Sequence, residues 1–318
     1  MLRIGLLGCA RIVRRAVAAG IKNSGVAGLT AIASRNHDTA RAWAKEFGAA
    51  NAYGSYGELL DDPGVDAVYI PLPNELHLEW MSRAAAAGKH VLCEKPLART
   101  LAEAEEMVAV CRRHGVILME AFMYRHHPRV TAARQLVADG KLGELRLVKM
   151  DFSFQIEPGD WRLDPARGGG ALFDLGCYGI NAARYFIGSE PVEVLAAAGR
   201  GTNLGRGVDM TSGVLLRFAS GALGVADASF ECPYRNRIEI VGSQGIIELP
   251  DGVLPKAESQ LVVRYGDGIP QSFTFTGDQY AEEIKAFAAS IAAGGLIDPA
   301  EDGLANMRVL DAARIGSK

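Results

Sequence analysis

Leu2-Arg3-Ile4-Gly5-Leu6-Leu7-Gly8-Cys9-Ala10-Arg11-Ile12-Val13 is the stretch on which the reading of the fold turns. An apolar run of strand length ends in a glycine and passes directly into a segment of helical character, from about residue 11 to residue 22. Strand, tight turn and helix N-terminus in that order are where a dinucleotide fingerprint belongs. The glycine makes the turn, and the N–H groups of the first helical turn, which have no partner inside the helix, face a pyrophosphate. Gly8 supplies the turn, Ala10 is small enough to let the backbone approach phosphate, and Gly8, Cys9, Ala10, Arg11 and Ile12 are expected to hold the cofactor. Val13 stands where the fingerprint carries a third glycine or alanine, so an ordinary strand-to-helix turn is the competing reading.

The same rhythm continues downstream. An apolar run over residues 29–33 precedes a helix over 37–47, and Ser55 with Glu58 has the spacing of a capping box ahead of a strand over 67–70. A strand over 90–92 follows, then Thr100 with Glu103 as a second capping box opening a helix to about residue 114, then a buried strand over 116–119. Strands alternating with helices imply parallel pairing with right-handed crossovers. After a helix over about 128–138 the pattern changes to longer alternating runs at 145–154, 213–218, 221–228, 238–241 and 246–249. Ala219-Ser220-Gly221 and Gly242-Ser243-Gln244-Gly245 between them have hairpin length, which predicts antiparallel pairing. The expected fold class is α/β. A Rossmann dinucleotide-binding domain occupies residues 1–123, and a C-terminal α+β domain over 124–318 is built on a large, mostly antiparallel open sheet. Two final helices, about 278–293 and 300–315, suit packing on either domain.

Bulk properties remove several function classes. A chain of 318 residues, 49% hydrophobic and 22% charged, has ample core for roughly two domains. Its formal charge of -3 supplies no basic surface to neutralise the phosphates of nucleic acid or anionic lipid, so neither is an expected partner. Arg11, Arg14 and Arg15 interrupt the opening apolar run before it reaches the length of a span or a secretory leader, and a cytoplasmic location is expected. Cys9, Cys93, Cys111, Cys177 and Cys232 are odd in number and contain no C-x-x-C pair, which predicts reduced thiols rather than disulfides or zinc. His126 and His127 are neighbours and would point about 100° apart on a helix, so no metal site is expected.

The second strand ends in Ala33-Ser34-Arg35, where an NAD-binding domain carries a carboxylate for the ribose 2′-hydroxyl. A 2′-phosphate would be repelled by that carboxylate and held by an Arg fork and a Ser hydroxyl, so Ser34 and Arg35 predict NADP in preference to NAD.

Between residues 71 and 178 the motifs become specific: Pro71-Leu72-Pro73-Asn74-Glu75-Leu76-His77, Glu94-Lys95-Pro96-Leu97, and Gly168-Gly169-Gly170-Ala171-Leu172-Phe173-Asp174-Leu175-Gly176-Cys177-Tyr178. Together they resemble the glucose-fructose oxidoreductase/inositol dehydrogenase/MocA family. Met119-Glu120-Ala121-Phe122-Met123-Tyr124-Arg125-His126-His127-Pro128 and Tyr178 are similar to its NADP-dependent D-xylose dehydrogenase and dimeric dihydrodiol dehydrogenase branch. The resemblance implies that Leu72, Asn74 and His77 line the nicotinamide-ribose side and that Glu94 and Lys95 approach the ribose and the reacting carbon. It also implies that Arg162, beside Trp161, reaches the cofactor from the second domain, that the Lys95–Pro96 bond is cis, and that the open sheet face forms a homodimer or homotetramer interface. Many family members have His where this chain has Tyr178.

A Lys and a Tyr suit alcohol oxidation. The hydroxyl proton must leave as the hydride departs, and a phenol with a pKa about 10 is poorly ionised at neutral pH unless its anion is favoured. One ammonium about 4 Å away, at an effective dielectric near 20, interacts by roughly 4 kcal/mol, enough to move that balance. Lys95 and Tyr178 are therefore the expected catalytic pair. Asp174 lies one helical turn earlier on the same face, either orienting the substrate or tyrosine or capping the helix. His126, Phe154, Asp160 and Tyr234 are candidate substrate contacts, with capping or packing as the alternative. The expected activity is hydride transfer between NADP and a CH–OH or C=O carbon of an aldose sugar or cyclic diol. A nucleotide-sugar ketoreductase and a non-catalytic NADP-binding sugar sensor are the alternatives.

Overall fold

Short apolar strands punctuated by capped helices assemble the first sheet in the computed structural model, which describes residues 1–199, 207–294 and 300–316. Its strands are β1 Leu2–Leu7, β2 Ala27–Ala33, β3 Asn51–Tyr53, β4 Ala67–Ile70, β5 His90–Glu94 and β6 Leu118–Ala121, in the order β3-β2-β1-β4-β5-β6. Every pairing is parallel. All four residues of β4 are buried, as a strand covered on both faces requires. The order reverses between β1 and β4, so the loops after those strands flank the switch point where open α/β sheets bind ligands.

The helices of this unit are α1 Ala18–Ser24, α2 His37–Phe47, α3 Tyr56–Leu60, α4 His77–Ala86 and α5 Leu101–His114. Asn36 caps α2, and Ser55 with Glu58 forms the reciprocal box expected for α3. At α5 only half of the second box is made: Thr100 accepts from the Glu103 N–H, while the Glu103 carboxylate turns to the backbone and side chain of Arg99. The first helix also departs from expectation. Its opening turn, Val13–Val17, is π-helical before α1 begins, and the widened turn starts at Val13, the bulky residue in place of the third glycine.

The second sheet has eight strands: β7 Leu145–Ser153, β8 Pro191–Gly199, β9 Thr211–Phe218, β10 Leu223–Ser229, β11 Arg235–Gly242, β12 Gly245–Leu249, β13 Glu258–Tyr265 and β14 Gln271–Thr276. Their order is β14-β13-β12-β11-β7-β10-β9-β8, antiparallel throughout except for the parallel β7–β10 pair. With α6 Pro128–Ala138 and α7 Cys177–Ile187 covering one face, β9 alternates strictly: Ser212, Val214, Leu216 and Phe218 are buried, and Thr211, Gly213, Leu215 and Arg217 are exposed. Small residues let α7 approach closely, since a Cβ built at Gly179 would lie 2.5 Å from Ala226 Cβ.

The chain divides into two compact units, Met1–His126 with Asp278–Leu304 and His127–Gly277 with the chain from Ala305 onward. The first of these units takes in residues from both ends of the chain, whereas a single division at 123 would leave all of the later residues in the second. The helix α8 Gln279–Ala292 joins the first unit because Ile284 and Phe287 complete its core and Gly20 of α1 admits Tyr280, whose Cβ would lie 2.5 Å from a Cβ at that glycine. The last helix, α9 Ala300–Gly316, spans the division. Among the described residues no helix is long and apolar enough to cross a membrane.

His127 begins α6 as a cap: its Nδ1 accepts the Arg129 N–H at 3.2 Å, which requires the unprotonated ring. Burial, then the charge of Arg129, pushes its pKa down to about 4 from an ordinary 6.5. A depressed folded-state value means that the unfolded chain binds more protons in that window, so the stabilisation is complete above pH 6.5 and lost as pH falls toward 4. Thermal unfolding followed from pH 7.5 downward is expected to show a falling midpoint on the acid side. His127→Asn, which keeps a capping acceptor without a titrating ring, should flatten that limb. Parallel acid limbs in the two proteins would remove His127 as its source.

Candidate active site

In the first unit the glycine turn after β1 is closely lined. Gly8 has φ +103°, and a Cβ there would sit 2.8 Å from Leu72 Cδ2 and 3.3 Å from the Tyr56 hydroxyl. The Gly8 N–H donates to the Ala33 carbonyl at 2.9 Å, tying the turn to the end of β2. Ser34 Oγ accepts the Asn36 N–H at 3.2 Å and Asn36 caps α2, so Ser34 and the exposed Arg35 lie at the positive end of that helix. The nearby Asp38 carboxylate pairs with Arg41 along α2. A side-chain-free turn, a helix terminus and an Arg without an adjoining strand-end carboxylate fit a dinucleotide bearing a 2′-phosphate. Burial pushes the Cys9 thiol up to about 11, against a smaller opposing effect from its Ser34 hydrogen bond, so Cys9 lines the turn as a protonated thiol.

The loop carrying Lys95 is held from three sides. The Lys95–Pro96 bond is cis, as the resemblance implied. His77 Nε2 lies 2.8 Å from the Leu72 carbonyl and its Nδ1 lies 3.1 Å from the Leu97 carbonyl. On its other side the Leu97 N–H donates to Glu120 Oε1 at 2.7 Å. The Glu94 carboxylate accepts the Tyr69 hydroxyl and, at 3.3 Å, the Lys95 N–H. His77 is fully buried with one ring nitrogen close to a carbonyl of each loop, and the neutral ring donates its single N–H to one of the two. Burial lowers its pKa. Leu72 and Asn74 are also largely buried, Leu72 packing over Gly8, while Lys95 and Glu94 remain partly exposed.

In the second unit a polar cluster forms around Arg162. Asp160 caps the short turn Trp161–Leu163 by accepting the Arg162 N–H at 3.1 Å, and its carboxylate lies 3.2 Å from the same guanidinium. Arg162 Nε is 3.0 Å from Asp174 Oδ2, and the guanidinium stacks over Trp161. Asp174 foremost, and Asp160 beside it, raise the Arg162 pKa against burial. Arg162, Asp160 and Asp174 therefore come together, with Asp160 acting as turn cap and ion-pair partner.

The glycine run lies across that turn. Gly169 and Gly170 donate their N–H groups to the carbonyls of Asp164 and Arg162, at 3.1 and 2.9 Å, and a Cβ at Gly169 would fall 2.2 Å from the Arg162 carbonyl oxygen. Gly170, at φ +118°, abuts Asp209 Oδ1. Asp209 then caps the following helix from far along the chain: its backbone carbonyl accepts the Ala171 N–H at 2.9 Å and its Oδ2 the Leu172 N–H at 2.6 Å. Asp174 is thus not the cap. The helix opens with a π-turn, Leu172–Gly176, and continues as α7 with Tyr178, 5% exposed, beside the Phe152 ring at 5.9 Å between centroids. Phe154 extends this stack to Phe230. Tyr234 does not join it; 63% exposed, it accepts a hydrogen bond from Asn236 Nδ2. His126 ends the turn Met123–His126 in the first unit.

Comparison with known proteins bears on both units. Residues 2–122 match the model of an oxidoreductase family with an NAD-binding Rossmann fold, and residues 130–248 match that of the GFO/IDH/MocA C-terminal domain. The chain belongs to the GFO/IDH/MocA oxidoreductases. Its relatives in this family include a D-xylose 1-dehydrogenase (NADP(+)) of Haloferax volcanii, 39% identical over 97% of this chain and 95% of the relative. The 3-ketoreductase KijD10 of Actinomadura kijaniata, solved with NADP and TDP-benzene, is 35% identical with TM-score 0.91 over 99% of this chain and 97% of that one. An aldose-aldose oxidoreductase of Caulobacter crescentus is 32% identical with TM-score 0.93 over the same shares, 99% and 97%.

Three residues that build this GFO/IDH/MocA site escape a reading of the sequence. Glu120 left a signal, a carboxylate inside a buried strand that must find a partner. Tyr69 in an apolar strand and Asp209 far from the helix it caps left none. Asp209→Ala should lower stability by ~1–2 kcal/mol, the usual cost of losing a cap. Asp209→Asn keeps an acceptor and should lose less. Chemical unfolding that ranks the two variants equally would refute capping as the role.

Proposed function

We propose that this GFO/IDH/MocA oxidoreductase is an NADP-dependent dehydrogenase that transfers a hydride to or from a CH–OH or C=O carbon of an aldose sugar or cyclic diol. The observation that carries the reading is the preparation of two motif residues. Lys95 sits on a loop held by Tyr69, His77 and Glu120, and Tyr178 sits on a helix whose start is held by Asp209. NADP as cofactor is supported by the Ser34-Arg35 segment, which has no strand-end carboxylate to repel a 2′-phosphate, and by the NADP-dependent relatives.

NADP, when bound, supplies or accepts the hydride. In the oxidising direction Tyr178 takes the substrate hydroxyl proton, with the Lys95 ammonium favouring its anion; in the reducing direction it returns that proton. Asp174, aligned by Arg162, is the acceptor for a neighbouring substrate hydroxyl. The exposed face of the second sheet, with Leu215 and Arg217 outward on β9, supports association with a second copy into a homodimer or homotetramer.

A second reading, a ketoreductase of nucleotide-linked sugars, rests on the extent of the match to the Actinomadura enzyme. A non-catalytic sensor has no use for an acid/base pair. Absorbance at 340 nm, with NADP or NAD against aldoses, cyclic diols and nucleotide-linked sugars, separates these readings. Turnover is expected with NADP and a free sugar or diol. Lys95→Met and Tyr178→Phe should each lower it by ~100- to 10,000-fold, as loss of an acid/base group does, while NADP still binds. Wild-type rates in both variants would overturn the assignment.

A further inference from the structure

Tyr56 opens α3 directly after the capping residue. Ser55 Oγ accepts the Glu58 N–H at 3.2 Å, and Glu58 Oε2 accepts the N–H groups of Gly54 and Ser55 at 3.0 and 3.2 Å. This reciprocal box sets the backbone of the first turn and with it the direction in which Tyr56 leaves the helix. The ring is then locked edge-on against Trp80 of α4, with centroids 4.8 Å apart and an interplanar angle of 88°, while Arg83 covers Trp80 at 4.6 Å. Tyr56 is only 7% exposed.

Its hydroxyl ends over the glycine turn, 3.3 Å from where a Gly8 Cβ would stand, with Leu72 on the other side of that position at 2.8 Å. Among the described residues no protein group is hydrogen-bonded to it. The ring is buried, the hydroxyl oxygen is not sealed from an added partner, and the nearest architecture is a turn shaped to admit phosphate-bearing backbone contacts. Arg35 adds a positive charge to the same surroundings, enough to oppose in part the upward push that burial gives the phenol. The group is therefore a neutral O–H donor at neutral pH, of a kind that no change near pH 7 would remove.

We infer that the Tyr56 hydroxyl is a direct cofactor-binding group, donating a hydrogen bond to a phosphate or ribose oxygen of the dinucleotide seated at the Gly8 turn. The inference rests on the NADP reading above and adds a residue outside the glycine turn and the Ser34-Arg35 segment. It also assigns Ser55 and Glu58 a purpose beyond helix capping, since the box aims the ring that carries the donor.

Tyr56→Phe tests it cleanly, because the ring and its packing on Trp80 remain and only the hydroxyl is lost. Dissociation constants for NADP and for NAD, measured by calorimetry on the full chain, are expected to show NADP binding weakened about tenfold, the scale of one lost hydrogen bond. The unliganded variant should melt with the wild type. Weakening confined to NADP would identify the 2′-phosphate as the acceptor, and equal weakening of NADP and NAD would identify an oxygen common to both; either supports the inference. Unchanged affinity for both cofactors overturns it while leaving the NADP reading intact. Failure of the wild-type chain to bind NADP overturns that reading itself.

Discussion

The peptide group of Leu97 is gripped at both polar atoms, its carbonyl by His77 and its N–H by Glu120, and the placement of Lys95 two residues earlier depends on that grip. A loop at the end of a strand is ordinarily the most mobile part of an α/β unit. Here the N–H and carbonyl of Leu97 meet side chains from two other elements, β6 and α4, and both partners are buried. His77 makes the arrangement longer in range. Its second nitrogen lies beside the carbonyl of Leu72, whose side chain closes over Gly8, so one buried imidazole packs between the Lys95 loop and the glycine turn.

The second unit solves the same problem with glycine instead of side chains. Gly169 and Gly170 pass so close to the Arg162 carbonyl and the Asp209 carboxylate that no Cβ fits. The close approach brings the Trp161–Leu163 turn against the start of the helix that carries Asp174 and Tyr178, and the Arg162–Asp174 pair spans that contact. An ion pair so placed adds little to net stability, because desolvation offsets much of the attraction. Its value is geometric: a planar guanidinium with two carboxylates can occupy few orientations. Both units thus place one titratable side chain on a backbone that has been fixed by means unrelated to its chemistry.

How much of this could be read beforehand follows from how local each cause is. The strand of β1, the turn at Gly8, the cap at Ser55 and the alternation of β9 are properties of adjacent residues, and they were legible. The strands that escaped, β3, β8 and β14 at sheet edges and β13 beside one, divide by cause. The three edge strands bury few side chains and so carry little periodicity, whereas β13 alternates buried and exposed residues but in a polar context. The placement of α8 was undecidable from its own amphipathic pattern, because what selects its partner is the absence of a side chain at Gly20, more than two hundred residues earlier. Asp209 and the joint action of His77 and Glu120 belong to the same class, contacts between residues remote in sequence.

The residues that are prepared for chemistry and those that would choose a substrate differ in this respect. In the proposed reaction Lys95, Tyr178 and the Gly8 turn answer to requirements that any alcohol and any nicotinamide impose, which is why they fall in motifs. The second unit holds both a stack of Phe152, Phe154 and Phe230 beside Tyr178 and the charged Arg162–Asp174 pair. A pyranose, with C–H groups on its faces and hydroxyls at its rim, suits such groups, and so does a cyclic diol. The two differ in how many hydroxyls need partners, and each polar group buried without one costs free energy. On the function proposed above, selectivity follows from the count and placement of acceptors offered to the substrate, Asp174 and Asp160 being the two carboxylates that Arg162 holds.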